Sequence, residues 1–123
     1  MPLHDFDIIQ PQSVAERYRR KVVHGENMSV ARLEVGADSV TGPHRHAHEE
    51  VTILLQGCWR FQLPTGPVVL HPNQLLTIPA GVEHSSEALE DVVAIDVSGA
   101  RRTDWLSGED SVPHYDPQYF WGV

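Results

Sequence analysis

The chain has 123 residues, 41% of them hydrophobic, enough for one domain with one core. Seventeen acidic against nine basic residues give a net charge of −8, which argues against nucleic-acid binding, and no apolar stretch approaches the length of a membrane span. The single cysteine, Cys58, excludes an internal disulfide and reads as a small buried filler; with no signal-peptide layout at His4, Asp5 and Asp7, a cytoplasmic location is the default expectation.

Residues 1 to 12 carry two prolines and no period, so they read as an irregular arm. Ser13-Val14-Ala15-Glu16 has the capping-box form without an amphipathic run behind it, which predicts at most one helical turn. Residues 17–24 and 28–36 read as a hairpin turned at Gly25-Glu26-Asn27, with Val30, Leu33 and Val35 in imperfect alternation. The basic cluster Arg17, Arg19, Arg20 and Lys21 on its first strand reads as a solvated face rather than an anion site. Further strands are predicted at 50–56, 58–63, 67–71, 74–78, 84–89 and 92–97, separated by Gly57, Pro64-Thr65-Gly66, Pro72-Asn73, Pro79-Ala80-Gly81 and Glu90-Asp91. Many short strands with Gly and Pro between them indicate an all-β, single-domain barrel or sandwich of the jelly-roll type. Residues 1–21 are then an arm and first strand, 22–98 the barrel, and 99–123 a tail. That tail carries Trp105, Tyr115, Tyr119, Phe120 and Trp121, aromatic anchors expected to close one barrel end or dock on a second subunit.

Four residues stand out as metal ligands. His44, His46 and Glu50 share parity, so an extended chain sends all three side chains to one face. The Pro79-Ala80-Gly81 turn fixes the backbone ahead of His84, which offers a fourth ligand from a neighbouring strand. Three imidazoles and a carboxylate suit one divalent first-row metal (Fe, Mn, Ni, Co, Cu or Zn) and leave two positions of an octahedron open for water or substrate. His48 repeats the His-x-His spacing and is placed outside the ligand set, Glu49 faces solvent, and His4, His24, His71 and His114 read as surface residues. Thr52 and Leu54 share the parity of Glu50 and are expected to line the cavity. Arg60 would join them if its strand face points inward.

These positions resemble the two motifs of the cupin superfamily. The first, Gly-x5-His-x-His-x(3 or 4)-Glu-x6-Gly, is matched by His44, His46, Glu50 and Gly57; the second, Gly-x5-Pro-x-Gly-x2-His-x3-Asn, by Pro79, Gly81 and His84. Asp38, Asn73 and Ala88 depart from the pattern. Asn73 is a mild change, because Asn tolerates the left-handed backbone that Gly supplies. The resemblance implies a double-stranded β-helix, a bound metal and a homodimer.

Asp96 followed by Arg102 and Trp105-Leu106 is similar to the ending of pectin-degradation cupins, which convert 4,5-unsaturated uronates to linear keto acids. Ser98 stands where that group has an aromatic, and Glu50 where some members have Gln. The resemblance implies a metal-dependent enzyme acting on a small oxygenated anion, a sugar acid or keto acid, by tautomerisation, ring opening or elimination. Asp96 would move the proton and Arg102 would hold the carboxylate, or Arg102 would anchor the tail through an ion pair with Asp96. The same four ligands also serve a dioxygenase, and a small-molecule-binding cupin without turnover is the third reading. The expected partner is a small-molecule substrate, with neither nucleic acid nor membrane involved.

Overall fold

The computed structural model describes residues 2–102 and 114–115. Eleven strands lie among them: β1 (Gln12–Ala15), β2 (Tyr18–His24), β3 (Ser29–Val35), β4 (Val40–His44), β5 (Glu50–Gln56), β6 (Trp59–Leu63), β7 (Gly66–Leu70), β8 (Leu75–Ile78), β9 (His84–Ala88), β10 (Val92–Ser98) and β11 (His114–Tyr115). All pairings are antiparallel, in a six-stranded sheet ordered β1-β2-β3-β10-β5-β8 and a five-stranded sheet ordered β11-β4-β9-β6-β7. This is the expected jelly-roll barrel. One 3-10 turn, Phe6–Ile8, is the sole helical segment among the described residues, capped by Asp5 accepting from the Asp7 N–H at 2.8 Å.

Strict alternation divides the barrel interior into two zones. β3 buries Ser29, Ala31, Leu33 and Val35; β10 buries Val92, Ala94, Asp96 and Ser98; β5 buries Glu50, Thr52 and Leu54. Register aligns these sets, with Asp96 between Ala31 and Thr52, and Ser98 between Ser29 and Glu50. One end of the interior is therefore apolar, where Leu33, Val35, Leu54, Val92 and Ala94 meet Trp59, Phe61 and Leu70 of the opposite sheet. Its other end is polar. The apolar zone supplies the driving force, at about 25 cal/mol per Å² removed from water, and the polar zone is the part that needs a function.

Several expected local structures are corrected. Ser13–Ala15 belongs to β1, not to a helical turn: pairing with β2, Gln12 opposite Arg20, supplies the backbone partners that a capped turn would otherwise provide. β4 was not anticipated, since Val40-Thr41-Gly42-Pro43-His44 contains two residues that disfavour strands, yet it is held between β9 and β11. In β3 it is Ser29 and Ala31 that face inward, with Val30 on the outer side. Cys58 sits half-buried before β6, its carbonyl accepting from Leu89 N–H at 2.9 Å. Of the aromatic tail, Tyr115 falls in β11, which extends the five-stranded sheet at β4; Trp105, Tyr119, Phe120 and Trp121 lie outside the described residues.

The departures from the glycine pattern sit where glycine is structurally meaningful. Asp38 and Asn73 both have left-handed backbone, with φ of 71° and 73°. Asp and Asn are the residues that bear this conformation best. Gly57 is different, because a Cβ there would lie 2.1 Å from the Asp91 carbonyl oxygen at a φ of +93°. We expect Gly57→Ala to cost more than about 2 kcal/mol, while Asp38→Gly and Asn73→Gly stay within about 1 kcal/mol of the wild type, measured by urea unfolding.

His24, expected at the surface, is half-buried and joins the chain after β10 to the barrel. Its Nδ1 lies 2.7 Å from Ser29 Oγ, which also accepts from the Arg102 N–H at 2.9 Å. Burial first, then the charges of Arg101 and Arg20, hold the His24 pKa below 6.5. The folded state thus binds this proton less readily than the unfolded chain, so its contribution is complete above the unfolded value near 6.5 and is lost as pH falls below it. We expect His24→Asn to shallow the decline of Tm between about pH 8 and pH 5; an unaltered slope contradicts this.

Candidate metal centre

Strand ends deliver the polar zone. His44 closes β4, Glu50 opens β5, His84 opens β9, and His46 lies between β4 and β5. The β4–β9 register sets His44 opposite His84. Gly81 N–H donates to the His46 carbonyl at 2.7 Å, tying the Pro79-Ala80-Gly81 turn to the His46 segment, and Gly81 takes the left-handed φ of 78° that a side chain would resist. Gly99 N–H donates to the Glu49 carbonyl at 2.9 Å and holds the end of β10 against the start of β5.

His44, His46 and His84 present ring nitrogens that all lie within 4.8 Å of one another. Glu50 Oε2 is 3.5 Å from His84 Nε2 and 3.7 Å from His46 Nδ1. Donors sharing one ion at about 2.1 Å stand roughly 3–4 Å apart, so the three histidines are within reach of one ion and Glu50 lies beside two of them. His44 Nδ1 meets the Gly42 carbonyl at 2.8 Å, and His84 Nδ1 meets the Val82 carbonyl at 2.9 Å. A carbonyl only accepts, so both Nδ1 atoms carry hydrogen and each Nε2 offers a lone pair. The four residues expected as ligands are thereby brought to one place.

The surroundings of His46 and His84 disfavour their charged forms and leave the neutral state that a metal binds. Burial lowers the His46 pKa to about 3, with further repulsion from His44, Arg102, His84 and His48. Burial also lowers that of His84, partly offset by the Val82 carbonyl and Asp96. Neutral nitrogens and one carboxylate fit a divalent transition-metal ion.

Asp96 is 7% exposed and lies beside this cluster. Thr52 Oγ1 donates to its Oδ1 at 2.5 Å. Burial and the neighbouring Glu50 carboxylate raise the Asp96 pKa well above the usual range, against the opposing pull of the Thr52 hydroxyl and the Arg102 guanidinium. Arg102, 5% exposed, lines the same cavity as the histidines, Glu50, Thr52 and Asp96. Asp96 and Arg102 thus line one cavity with the cluster, the placement that the family resemblance implied.

Two expected lining residues are placed elsewhere. Arg60 points outward and pairs with Glu87, because the alternation of β6 turns Trp59 and Phe61 inward. Leu54 has the inward parity but is buried in the apolar zone, beyond the cavity wall. Thr52 lines the cavity as expected. The His48 ring stacks on His46 with centroids 5.2 Å apart and stands outside the three-histidine group. Arg20, Tyr18, Trp59 and Phe61 also line the cavity. Arg20, expected on a solvated face, is buried; its shared parity with Tyr18 and Val22, both packed on the core, is the signal that marks it as inward.

Residues 29–98 match the Cupin domain family. No curated protein sequence matches the chain. Among solved structures, KdgF from Halomonas sp. is 26% identical with a TM-score of 0.76, over 80% of this chain and 94% of that one. An RmlC-like cupin from Shewanella frigidimarina is 14% identical with a TM-score of 0.78, over 83% and 93%. Oxalate decarboxylase from Bacillus subtilis, which has Mn(II) centres, is 18% identical with a TM-score of 0.70, over 85% of this chain and 33% of its own. The last two likenesses, at such identities, concern the fold. With the family match spanning more than half of its length, and with the motif histidines gathered at one barrel end, the chain belongs to the cupin family.

Proposed function

We propose that the protein is a metal-dependent enzyme acting on a small oxygenated anion, a sugar acid or keto acid, by tautomerisation, ring opening or elimination. The observation that carries this reading is that Asp96 and Arg102 line the same buried cavity as His44, His46, His84 and Glu50. A divalent ion held by the three histidines and Glu50 would supply Lewis-acid stabilisation of negative charge on a substrate oxygen. Arg102 binds the substrate carboxylate through its planar fork. Asp96 moves the proton: a buried carboxyl bonded to Thr52 and Glu50 and held above its ordinary range is suited to give and retake it. Burial of both residues keeps water from competing. The likeness to KdgF and the Asp96 to Arg102 spacing shared with pectin-degradation cupins support this class of substrate.

Elemental analysis comes first. We expect about one equivalent of metal in the purified or reconstituted protein and its loss from a His44→Ala/His84→Ala double variant; protein that stays metal-free on reconstitution, or a variant with undiminished metal, overturns the reading. With metal bound, a 4,5-unsaturated uronate should be consumed without oxygen uptake. Asp96→Asn should keep its metal and lose at least about 100-fold in turnover. Turnover equal to wild type, or metal loss in that variant, removes Asp96 from the proton-transfer role.

A further inference from the structure

The outer faces of the two sheets differ in kind. On the five-stranded sheet the outward residues of β6 and β9 are polar, Arg60 opposite Glu87 and Gln62 opposite Ser85. The six-stranded sheet turns aliphatic side chains outward instead. Its register lines up Val23, Val30, Val97 and Val51 in one outer row. Ile95, Ile53 and Leu75 form the next, which Arg32 and Lys21 continue. Leu75 is 56% exposed, and Leu55, near the end of β5, is 42% exposed. The solvent side of an antiparallel sheet ordinarily carries the polar half of the alternation, so an aliphatic surface that runs across β2, β3, β10, β5 and β8 marks an interaction site.

Charge and size select the occupant. The chain carries −8 overall, so two copies repel each other over most of their surfaces. On this face the strands offer Arg19, Lys21 and Arg32 against Glu34, whose carboxylate is bonded to Arg19 at 3.0 Å and to Arg32 at 2.8 Å. Lys21 Nζ donates to the Phe6 carbonyl at 2.7 Å and so fastens the N-terminal arm at the border of the face. The arm adds the exposed acids Asp5 and Asp7, together with Leu3 and Ile8, which are 96% and 79% exposed. An apolar centre with both signs of charge at its rim is self-complementary, as a contact between two identical surfaces requires. Five strands about 4.8 Å apart and three outward rows about 6.7 Å apart give a footprint of about 500 Å² on each copy, so two copies reach the roughly 1,000 Å² that specific association needs. We propose that the protein is a dimer in which the outer faces of two six-stranded sheets pack on each other, with Ile53 and Ile95 at the centre of the contact. Such a dimer forms whether or not the reaction proposed above is correct.

Sedimentation velocity of the full-length protein over about 1–100 μM tests this. We expect the wild type to sediment as a dimer at the upper end of that range. Leu75→Glu, at a position more than half exposed and so harmless to the fold, and the double variant Ile53→Thr/Ile95→Thr, which keeps β-branched side chains, should each weaken the dimer at least about tenfold and leave metal content unchanged. Val69→Glu, on the outer face of the other sheet and at a position 40% exposed, should leave the dimer as it is. Wild-type protein that is monomeric at about 100 μM overturns the proposal without any variant having to fold. A dimer that neither sheet-face variant weakens, or that Val69→Glu weakens equally, has its contact elsewhere and overturns it too.

Discussion

Glu50 is a carboxylate almost fully removed from water and set against imidazoles that burial keeps neutral. Desolvating a carboxylate costs several kcal/mol unless positive charge or donors compensate, and the neutral histidines provide lone pairs rather than positive charge. The polar end of the barrel is thus arranged as a coordination shell, and much else in the structure serves to hold it. The Gly81–His46 and Gly99–Glu49 backbone bonds fasten the segments that carry the ligands. Gly42 and Val82 carbonyls orient two of the rings.

Asp96 shows how one environment makes two carboxyls unlike. Both acids are buried and hydrogen-bonded to each other; Glu50 also faces the imidazoles, while Asp96 also faces the Thr52 hydroxyl and the Arg102 guanidinium. Burial and the like charge of Glu50 drive Asp96 toward its protonated form. A buried carboxyl held above its ordinary range is suited to acid–base chemistry near neutrality. The apolar zone below meets the cavity at Leu33, Trp59 and Phe61 and gives the barrel a core beside the polar end. A metal-binding end of this kind contributes little to folding until it is loaded, so the core carries the fold.

Legibility from the residues followed local signal strength. β5, from Glu50 to Gln56, has both alternation and the flanking Gly57, and its bounds were read correctly. β4 carries Gly42 and Pro43 and was missed, because its place is decided by β9 and β11 rather than by its own propensity. Ser13 to Glu16 satisfies a helix-capping pattern as well as it satisfies β1, and only the pairing with β2 chooses. Arg20 and Arg60 show the same limit in side-chain terms. Both lie on alternating strands, and alternation alone does not say which face is interior.

The sequence by itself marked the candidate ligands: His44, His46 and Glu50 share parity, His84 follows the Pro79-Ala80-Gly81 turn, and the resemblance to the cupin motif, rather than parity, set His48 aside. It also determined the strand-rich architecture, through period-two patterning and its Gly and Pro punctuation. Only the tertiary structure decided what surrounds those ligands. Trp59 and Phe61 claim the interior side of β6 and exclude Arg60, while Tyr18 and Val22 claim that of β2 and carry Arg20 in with them. The physical reason is that a strand's two faces are equivalent until another sheet packs on one of them, and that choice is made by residues far away in the chain.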